Sequence, residues 1–171
     1  MGKNLELKIK VESHDEFIKI LSEVGAVDKG VLNQKDTYYK INNGLLKLRI
    51  QNGEFYLIKY IRDENTLTRW SNYKILEIKS KNAEDFLKSL FDIETVVEKE
   101  RVFFLYKHTR IHLDKVKALG NFLELETVID GISDQQGEEE FAEVVSLLKL
   151  DLNQQLKTSY RTLLINKPSP F

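Results

Sequence analysis

Charged and polar side chains alternate with apolar ones in the N-terminal stretch "NLELKIKV". Asn4, Glu6, Lys8 and Lys10 occupy every second position, with leucine, isoleucine and valine between them. Because successive side chains on a β-strand point to opposite faces, the alternation predicts a strand with one charged face and one apolar face. The charged face is either exposed to water or part of a binding site.

The same alternation groups charged residues further along the chain. The sets that share a predicted strand face are Lys47 with Arg49, Lys99 with Arg101, Glu124 with Glu126, and Arg110 with His112 and Asp114. Carboxylates one strand step apart are suited to hold a hard divalent cation through oxygen ligands. Lysine and arginine bind phosphate oxygens through charge-assisted hydrogen bonds. If these faces line a binding site, a ligand with charges of both signs, such as a polyphosphate with Mg²⁺ or Mn²⁺, would suit them.

These residues lie in a chain that is predicted to be mainly β-structure with a few helices. Strands are predicted near 4–11, 35–41, 45–51, 54–61, 73–79, 95–106, 109–117 and 120–129. Helices are predicted over 14–24, 83–91 and 135–149. Ser13 is the expected N-cap of the first helix. The turn signals "NNG" at 42–44 and "QNG" at 51–53 predict hairpins between antiparallel strands. The run "GEEE" at 137–140 is interpreted as the solvent-exposed start of a helix rather than a metal site.

Two architectures would give this alternation. One is an antiparallel sheet with helices on its apolar face and water on its charged face. The other is a closed antiparallel barrel with a charged interior, and the density of Arg, Lys, Glu and Asp on the polar faces favours it. Burying so many charges would cost several kcal/mol each, so such an interior must hold water.

Composition excludes several classes of protein. The chain has 171 residues, enough for one domain with a hydrophobic core, and we expect a single domain over 1–171 with a loose tail from about residue 166. Its 26 basic and 27 acidic side chains leave a net charge of -1, without the basic excess of a protein that binds nucleic acid or membrane surfaces. There is no cysteine, and no apolar run approaches the ~20 residues of a membrane span. We therefore expect a cytoplasmic protein.

Several segments together resemble one known family. They are "NLELKIKV", "DTYY", "GLLKLRI", "LIKYIR", "EKERVFFLYKHTRIHLDKVKALGNFLELE" and "SYRTLL". Their order and spacing resemble the CYTH family, also called triphosphate tunnel metalloenzymes, over nearly the whole chain. The "ELK" start and the "SYRTLL" ending make the chain most similar to the class IV adenylyl cyclase branch of that family.

The resemblance implies a fold and a set of site residues. The fold would be α+β, with an eight-stranded antiparallel closed β-barrel, the triphosphate tunnel, whose interior is charged and whose helices pack outside. The residues that would bind triphosphate are Lys8, Lys47, Arg49, Lys59, Lys99 and Arg101, with Arg62 and Arg110 as further candidates. The residues that would hold Mg²⁺ or Mn²⁺ are Glu6, Asp114, Glu124 and Glu126. The family signature opens Glu-x-Glu-x-Lys, whereas this chain has Asn4 at the first position.

The resemblance also implies a reaction. A class IV adenylyl cyclase converts ATP to cyclic AMP and pyrophosphate, and in this chain Glu6, Lys8, Glu124 and Glu126 would be its catalytic residues. The alternative is a phosphohydrolase acting on inorganic triphosphate or on a nucleoside or thiamine triphosphate. A third hypothesis is a non-catalytic sensor of polyphosphate or nucleotide. The partner would be a triphosphate-containing small molecule such as ATP or tripolyphosphate, and the cyclase branch suggests a homodimer.

Four further polar residues have two interpretations each. Lys10 follows the alternation of Lys8 but lies near the strand end, where water could solvate it. Asp36 and Tyr38 are either groups at the tunnel mouth or a turn aspartate and a packed tyrosine. His112, between Arg110 and Asp114, either relays protons or is a neutral hydrogen-bonded residue, and we expect the latter.

Overall fold

A computed structural model describes residues 3–62 and 71–168 of the chain. The strands are β1 (Lys3–Val11), β2 (Val27–Tyr39), β3 (Leu45–Gln51), β4 (Glu54–Arg62), β5 (Ser71–Ile78), β6 (Ile93–Tyr106), β7 (Thr109–Val116) and β8 (Gly120–Ile129). The α-helices are α1 (Asp15–Glu23), α2 (Ala83–Leu90), α3 (Asp134–Leu147) and α4 (Tyr160–Ile165), and a 3-10 turn spans Leu152–Gln154. The predicted α+β class is confirmed.

The eight strands form one antiparallel sheet in the order β1-β8-β7-β6-β2-β3-β4-β5. Within the described residues, no hydrogen-bonded pairing joins β1 to β5, so backbone hydrogen bonds do not close the sheet. An eight-stranded antiparallel sheet is therefore confirmed, and its closure into a barrel stays a prediction.

The predicted hairpin at "QNG" is confirmed. Asn52 and Gly53 connect β3 to β4 and have φ angles of 48° and 86°. Two consecutive residues with positive φ make a type I′ turn, whose twist matches that of the flanking strands. This turn fixes the register of β3 against β4 and hence which side chains share a face.

The described contacts separate the chain into two compact units. Unit 1 comprises Met1–Leu32 and Glu100–Thr158, and unit 2 comprises Asn33–Lys99 and Ser159–Phe171. In each unit, helices cover the apolar side of the strands. In unit 1 that core consists of Leu7, Ile9, Leu21, Phe104, Ile111, Leu113, Leu123, Leu125, Val144 and Leu148. In unit 2 it consists of Tyr39, Leu46, Leu48, Ala83 and Leu87.

Some predicted boundaries were wrong. Strand β2 begins at Val27 rather than near residue 35. The prediction missed its first part because Val27–Asn33 does not show the alternation that marks the other strands. Ser13 is not the N-cap of α1. The N-cap is His14, which makes no capping bond with its side chain, and Ser13 Oγ instead accepts a hydrogen bond from the Asp15 amide at 3.2 Å.

Helix α4 was not predicted, although its capping signal is present in the sequence. Ser159 Oγ accepts a hydrogen bond from the Thr162 amide at 3.2 Å and so satisfies one of the free N–H groups of the first turn. The helix has only six residues, too few to show a helical period. The last residues of the predicted loose tail, 169–171, lie outside the described part of the chain.

The described residues include no helix long and apolar enough to cross a membrane.

The "GEEE" run contains a buried carboxylate that the sequence interpretation missed. Glu140 on α3 is buried and accepts hydrogen bonds from the His108 amide at 2.8 Å and from Thr109 Oγ1 at 2.6 Å. Its second oxygen lies 3.0 Å from His108 Nδ1. Glu138 and Glu139, its neighbours in the run, are exposed as expected. Glu140 therefore attaches α3 to the turn between β6 and β7.

Replacing Glu140 tests this attachment. Glu140→Ala leaves the His108 amide without its acceptor, so we expect it to lower the free energy of unfolding by about 1–3 kcal/mol. Glu143→Ala, on the same helix, is the matched control. Its ion pair with Lys107 is exposed, so the loss should stay below about 1 kcal/mol. Urea unfolding of both variants measures the difference, and equal losses would contradict the assignment.

Candidate functional site in two charged clusters

The charged face of unit 1 is an ordered grid of side chains across three strands. In the strand register, Glu6 on β1 lies opposite Glu126 on β8, which lies opposite Arg110 on β7. One strand step along, Lys8 lies opposite Glu124, which lies opposite His112. The alternation seen in the sequence thus places acidic and basic groups side by side, as predicted.

Arg101, on β6, contacts two carboxylates of β7 and β8. Its Nε and Nη2 donate to the two carboxylate oxygens of Asp114 at 2.6 Å each, and Nη2 also donates to Glu124 Oε2 at 2.6 Å. Asp114 is completely buried. Removing one member of such a group would leave an unpaired buried charge. Asp114, predicted as a metal ligand, therefore uses both of its oxygens to hold Arg101.

Lys8 adds a second cation to Glu124. Lys8 Nζ lies 3.0 Å from Glu124 Oε1 and donates to the Thr158 carbonyl at 3.3 Å. Glu124 is therefore paired with a different cation on each oxygen. Lys10 lies over the Phe122 ring with its Nζ 5.9 Å from the ring centroid, and it is exposed.

His112 is buried in the same grid. Burial, followed by the positive charge of Arg101, lowers the pKa of His112 below its ordinary value. Its Nδ1 lies 3.9 Å from Glu124 Oε2, and its ring makes an edge contact with Phe103. The lowered pKa favours the neutral imidazole expected from the sequence, whereas 3.9 Å is too long for the hydrogen bond that was also expected.

Glu126 is held by two neighbours. Asn4 Nδ2 donates to its Oε1 at 2.6 Å, and Arg110 Nη1 donates to its Oε2 at 3.3 Å. Directly opposite side chains in an antiparallel pair are about 5 Å apart at Cβ, so Glu6 and Glu126 are carboxylate neighbours. Like charges in this position repel unless a cation or a proton lies between them.

This carboxylate pair fits a divalent cation of one particular kind. Mg²⁺ is commonly held by one or two carboxylates together with water and substrate phosphate oxygens rather than by a cage of protein ligands. Glu6 and Glu126 provide such a pair of hard oxygen donors. Among residues 3–62 and 71–168, no three His, Asp or Glu side chains form a group that could hold a metal alone. Glu6 and Glu126 could therefore supply two of the oxygen ligands of a Mg²⁺ ion.

Unit 2 contains a cluster built on one buried aspartate. Asp36 on β2 accepts from Arg49 Nε and Nη2 and from Lys47 Nζ, all at 2.7 Å. Asp36 lies opposite Arg49 in the register of β2 and β3. Burial by itself would raise the pKa of the Asp36 carboxyl, but the bonds and charges of Arg49 and Lys47 outweigh it and hold the pKa well below its usual range.

Tyr38 adjoins this cluster. Its hydroxyl lies 3.5 Å from Lys47 Nζ, and the ammonium group lies 5.3 Å from the centre of its ring. Burial, followed by Tyr60 and Asp36, raises the pKa of the Tyr38 phenol, so the group stays neutral. Asp36 and Tyr38 had two interpretations in the sequence, and both are buried members of the cluster.

The structure does not place every predicted phosphate-binding residue together. Lys59 lies opposite Leu46, a core residue of unit 2, and so occupies the sheet face opposite to that of Lys47 and Arg49. Lys99 Nζ lies 5.0 Å from the centre of the Tyr160 ring. The side chain of Arg62 lies outside the described part of the structure.

Sequence reasoning missed the ion pair between Arg161 and Glu94 in unit 2. Arg161 on α4 donates from Nε and Nη2 to Glu94 at 2.6 and 2.5 Å. The signal that could have found it is the "SYRTLL" segment, which was noted only as a family motif. Helix α4 is too short to be predicted from its period, so the position of Arg161 next to the strands was not predicted.

The chain is similar to known proteins over nearly its whole length. The family model described as CYTH domain matches residues 2–160. No curated protein matches the sequence. Among solved structures, the PH1012 protein from Pyrococcus horikoshii OT3 is 23% identical with a TM-score of 0.79, over 95% of this chain and 99% of that chain.

Two further structures carry functional names. A "putative adenylate cyclase" from Vibrio parahaemolyticus is 20% identical with a TM-score of 0.74, over 95% of this chain and 97% of that chain. Another from Bacillus halodurans is 15% identical with a TM-score of 0.61, over 97% of this chain and 99% of that chain. At these identities the likeness shows the fold alone. Because the CYTH model covers nearly the whole chain, the protein belongs to the CYTH family.

Proposed function

We propose that this protein is a divalent-metal-dependent enzyme that acts on a triphosphate substrate and is most like a class IV adenylyl cyclase. The observation that carries the proposal is the pair of neighbouring carboxylates Glu6 and Glu126, which adjoins the row of Lys8 and Glu124 on one strand face. A site with two carboxylates and adjacent cations suits a metal–polyphosphate complex better than either ion alone.

In unit 1, the acidic residues would hold the cation and the basic residues would contact phosphate. Glu6 and Glu126 are the proposed metal ligands, and Glu124 supports Lys8 and Arg101. A bound Mg²⁺ or Mn²⁺ would lower the pKa of a coordinated hydroxyl and neutralise phosphate charge. Arg110 and Lys8, at the two edges of this grid, would contact phosphate oxygens.

In unit 2, Lys47 and Arg49 are the proposed phosphate-binding residues. Asp36 fixes both cations in orientation before any ligand arrives, so little side-chain entropy would be lost on binding. In the cyclase reaction, the 3′-hydroxyl oxygen of ATP bonds to the α-phosphorus, the bond to the pyrophosphate oxygen breaks, and the hydroxyl proton passes to solvent. Fixed cations stabilise the charge that develops on the leaving pyrophosphate.

The family supports a triphosphate substrate in general. The names carried by the Vibrio and Bacillus structures favour the cyclase over other triphosphate reactions, and they belong to those proteins.

A product assay tests the reaction. Purified protein is incubated with Mg²⁺ or Mn²⁺ and with ATP or inorganic tripolyphosphate, and cyclic AMP, pyrophosphate and orthophosphate are resolved. We expect cyclic AMP and pyrophosphate in equal amounts, and none when the metal is chelated. Orthophosphate from tripolyphosphate without cyclic AMP would show that the enzyme is a triphosphatase rather than a cyclase. No product despite binding of tripolyphosphate would indicate a sensor.

A carboxylate variant separates catalysis from folding in the same assay. Glu126→Gln removes the charge of a proposed metal ligand, and we expect it to lower metal-dependent turnover by about 100-fold or more, a typical cost of lost electrostatic stabilisation. Glu143→Gln, on the outer helix α3, should leave turnover unchanged. Thermal unfolding should be similar for both, because neither side chain is fully buried.

The opposite faces of β3 and β4 provide a matched test of phosphate binding. Arg49→Gln and Lys59→Gln each remove one positive charge from unit 2, but only Arg49 belongs to the Asp36 cluster. We expect Arg49→Gln to weaken tripolyphosphate binding by about 10-fold or more, the scale of a lost charge-assisted hydrogen bond. Lys59→Gln should leave the affinity close to that of the unaltered protein in isothermal titration calorimetry. Equal weakening would show a general charge effect and contradict the role of Arg49.

The Asp36 cluster also predicts a pH dependence of stability. The folded-state pKa of Asp36 lies below its unfolded value of 3.8, so its contribution is complete above that pH and is lost as the pH falls further. We expect Asp36→Asn to be less stable by about 3–5 kcal/mol at neutral pH, because it leaves buried cations unpaired. At pH 3 the difference should shrink by about 1 kcal/mol. Urea unfolding at both values measures it, and a constant difference would refute the assigned direction.

A further inference from the structure

Helix α4 places the positively charged Arg161 next to a strand of unit 2. Ser159 caps the helix, and Tyr160 is buried beside Lys99, whose Nζ lies 5.0 Å from the ring centre. These contacts fix the first turn of the helix. Arg161, the next residue, is only partly exposed.

Glu94 orients the guanidinium of Arg161. The two carboxylate oxygens of Glu94 accept from Nε and Nη2, which is the paired geometry that sets the plane of an arginine most firmly. An arginine has five N–H donors. Within the part of the chain that the structure describes, the two Nη1 donors of Arg161 have no protein acceptor. The side chain is thus fixed, and its Nη1 donors remain available to another acceptor.

Tyr38 connects Arg161 to the Asp36 cluster. The guanidinium carbon of Arg161 lies 5.9 Å from the centre of the Tyr38 ring. Lys47 Nζ lies 5.3 Å from the centre of the same ring and 3.5 Å from its hydroxyl. One buried, neutral tyrosine therefore packs against two cations. Each cation is balanced by its own carboxylate, Glu94 or Asp36.

We propose that Arg161 is a further phosphate-contacting residue of unit 2, and that Glu94 is the positioning residue that orients it. The inference rests on the proposed triphosphate binding and adds a residue that the predicted set of phosphate-binding side chains lacks. Two cations fixed against one tyrosine form a charged edge that suits an anion with several oxygens, such as a polyphosphate chain.

Calorimetric titration with inorganic tripolyphosphate and Mg²⁺ tests the inference. We expect Arg161→Gln to raise the Kd about 10-fold or more, as for the loss of a charge-assisted hydrogen bond. Arg161→Lys should lie between, because lysine keeps the charge but not the paired geometry with Glu94. Lys59→Gln, which removes a charge from the opposite face of the sheet, is the control and should bind as the unaltered protein does.

The role of Glu94 is tested by a binding measurement that a general loss of stability would not affect. Glu94→Gln should weaken binding in the unaltered background but have no further effect in the Arg161→Gln background, because it acts only through Arg161. Additive losses in the double variant would overturn the positioning role.

The outcomes also separate this inference from the proposed function. If the unaltered protein binds tripolyphosphate and Arg161→Gln binds it equally well, the role of Arg161 is overturned and the proposed function stands. If the unaltered protein binds no tripolyphosphate, both are overturned. Circular dichroism verifies that each variant is folded, and Arg161→Lys retains the charge should Arg161→Gln fail to fold.

Discussion

Pairing of buried charges is the constraint on which the rest of this structure depends. Strand alternation puts one face of the strands into an apolar core and places the charged residues of the two clusters on the other face. Where such a face is buried, each charge must meet an opposite charge, because an unpaired one would cost several kcal/mol. The grid of unit 1 and the Asp36 cluster of unit 2 are two local solutions to this requirement.

The two solutions share a design. In each unit one nearly inaccessible aspartate takes the paired Nε and Nη2 donors of an arginine on a strand, Asp114 with Arg101 and Asp36 with Arg49. The aspartate orients the arginine, and both of its carboxylate oxygens accept hydrogen bonds from it. Cations that are already oriented lose little freedom on binding an anion. These aspartates therefore orient the basic residues, and the metal ligands that we propose, Glu6 and Glu126, are different carboxylates.

The same constraint explains why tyrosines accompany the cations of unit 2. A tyrosine offers its ring face to a positive charge without adding a negative one. Tyr38 and Tyr160 are both buried, and each packs against at least one basic side chain. These rings therefore contact the cations without cancelling their positive charge.

The sequence by itself determined the strands, their hairpins and which residues share a face, because the two-residue period and the "QNG" turn are local properties. It also grouped Glu6, Lys8, Glu124 and Glu126 correctly on charged faces, since parity follows directly from numbering along a strand. The set of phosphate-binding residues that the family resemblance implied grouped Lys59 with Lys47, but the register of β3 against β4 places Lys59 on the other face. Only the tertiary structure showed that Asp114 and Asp36 bind arginines, that Glu140 is buried, and that Arg161 reaches Tyr38. Those contacts join residues far apart in the chain, and no local pattern encodes which side chain will be the partner of a buried charge.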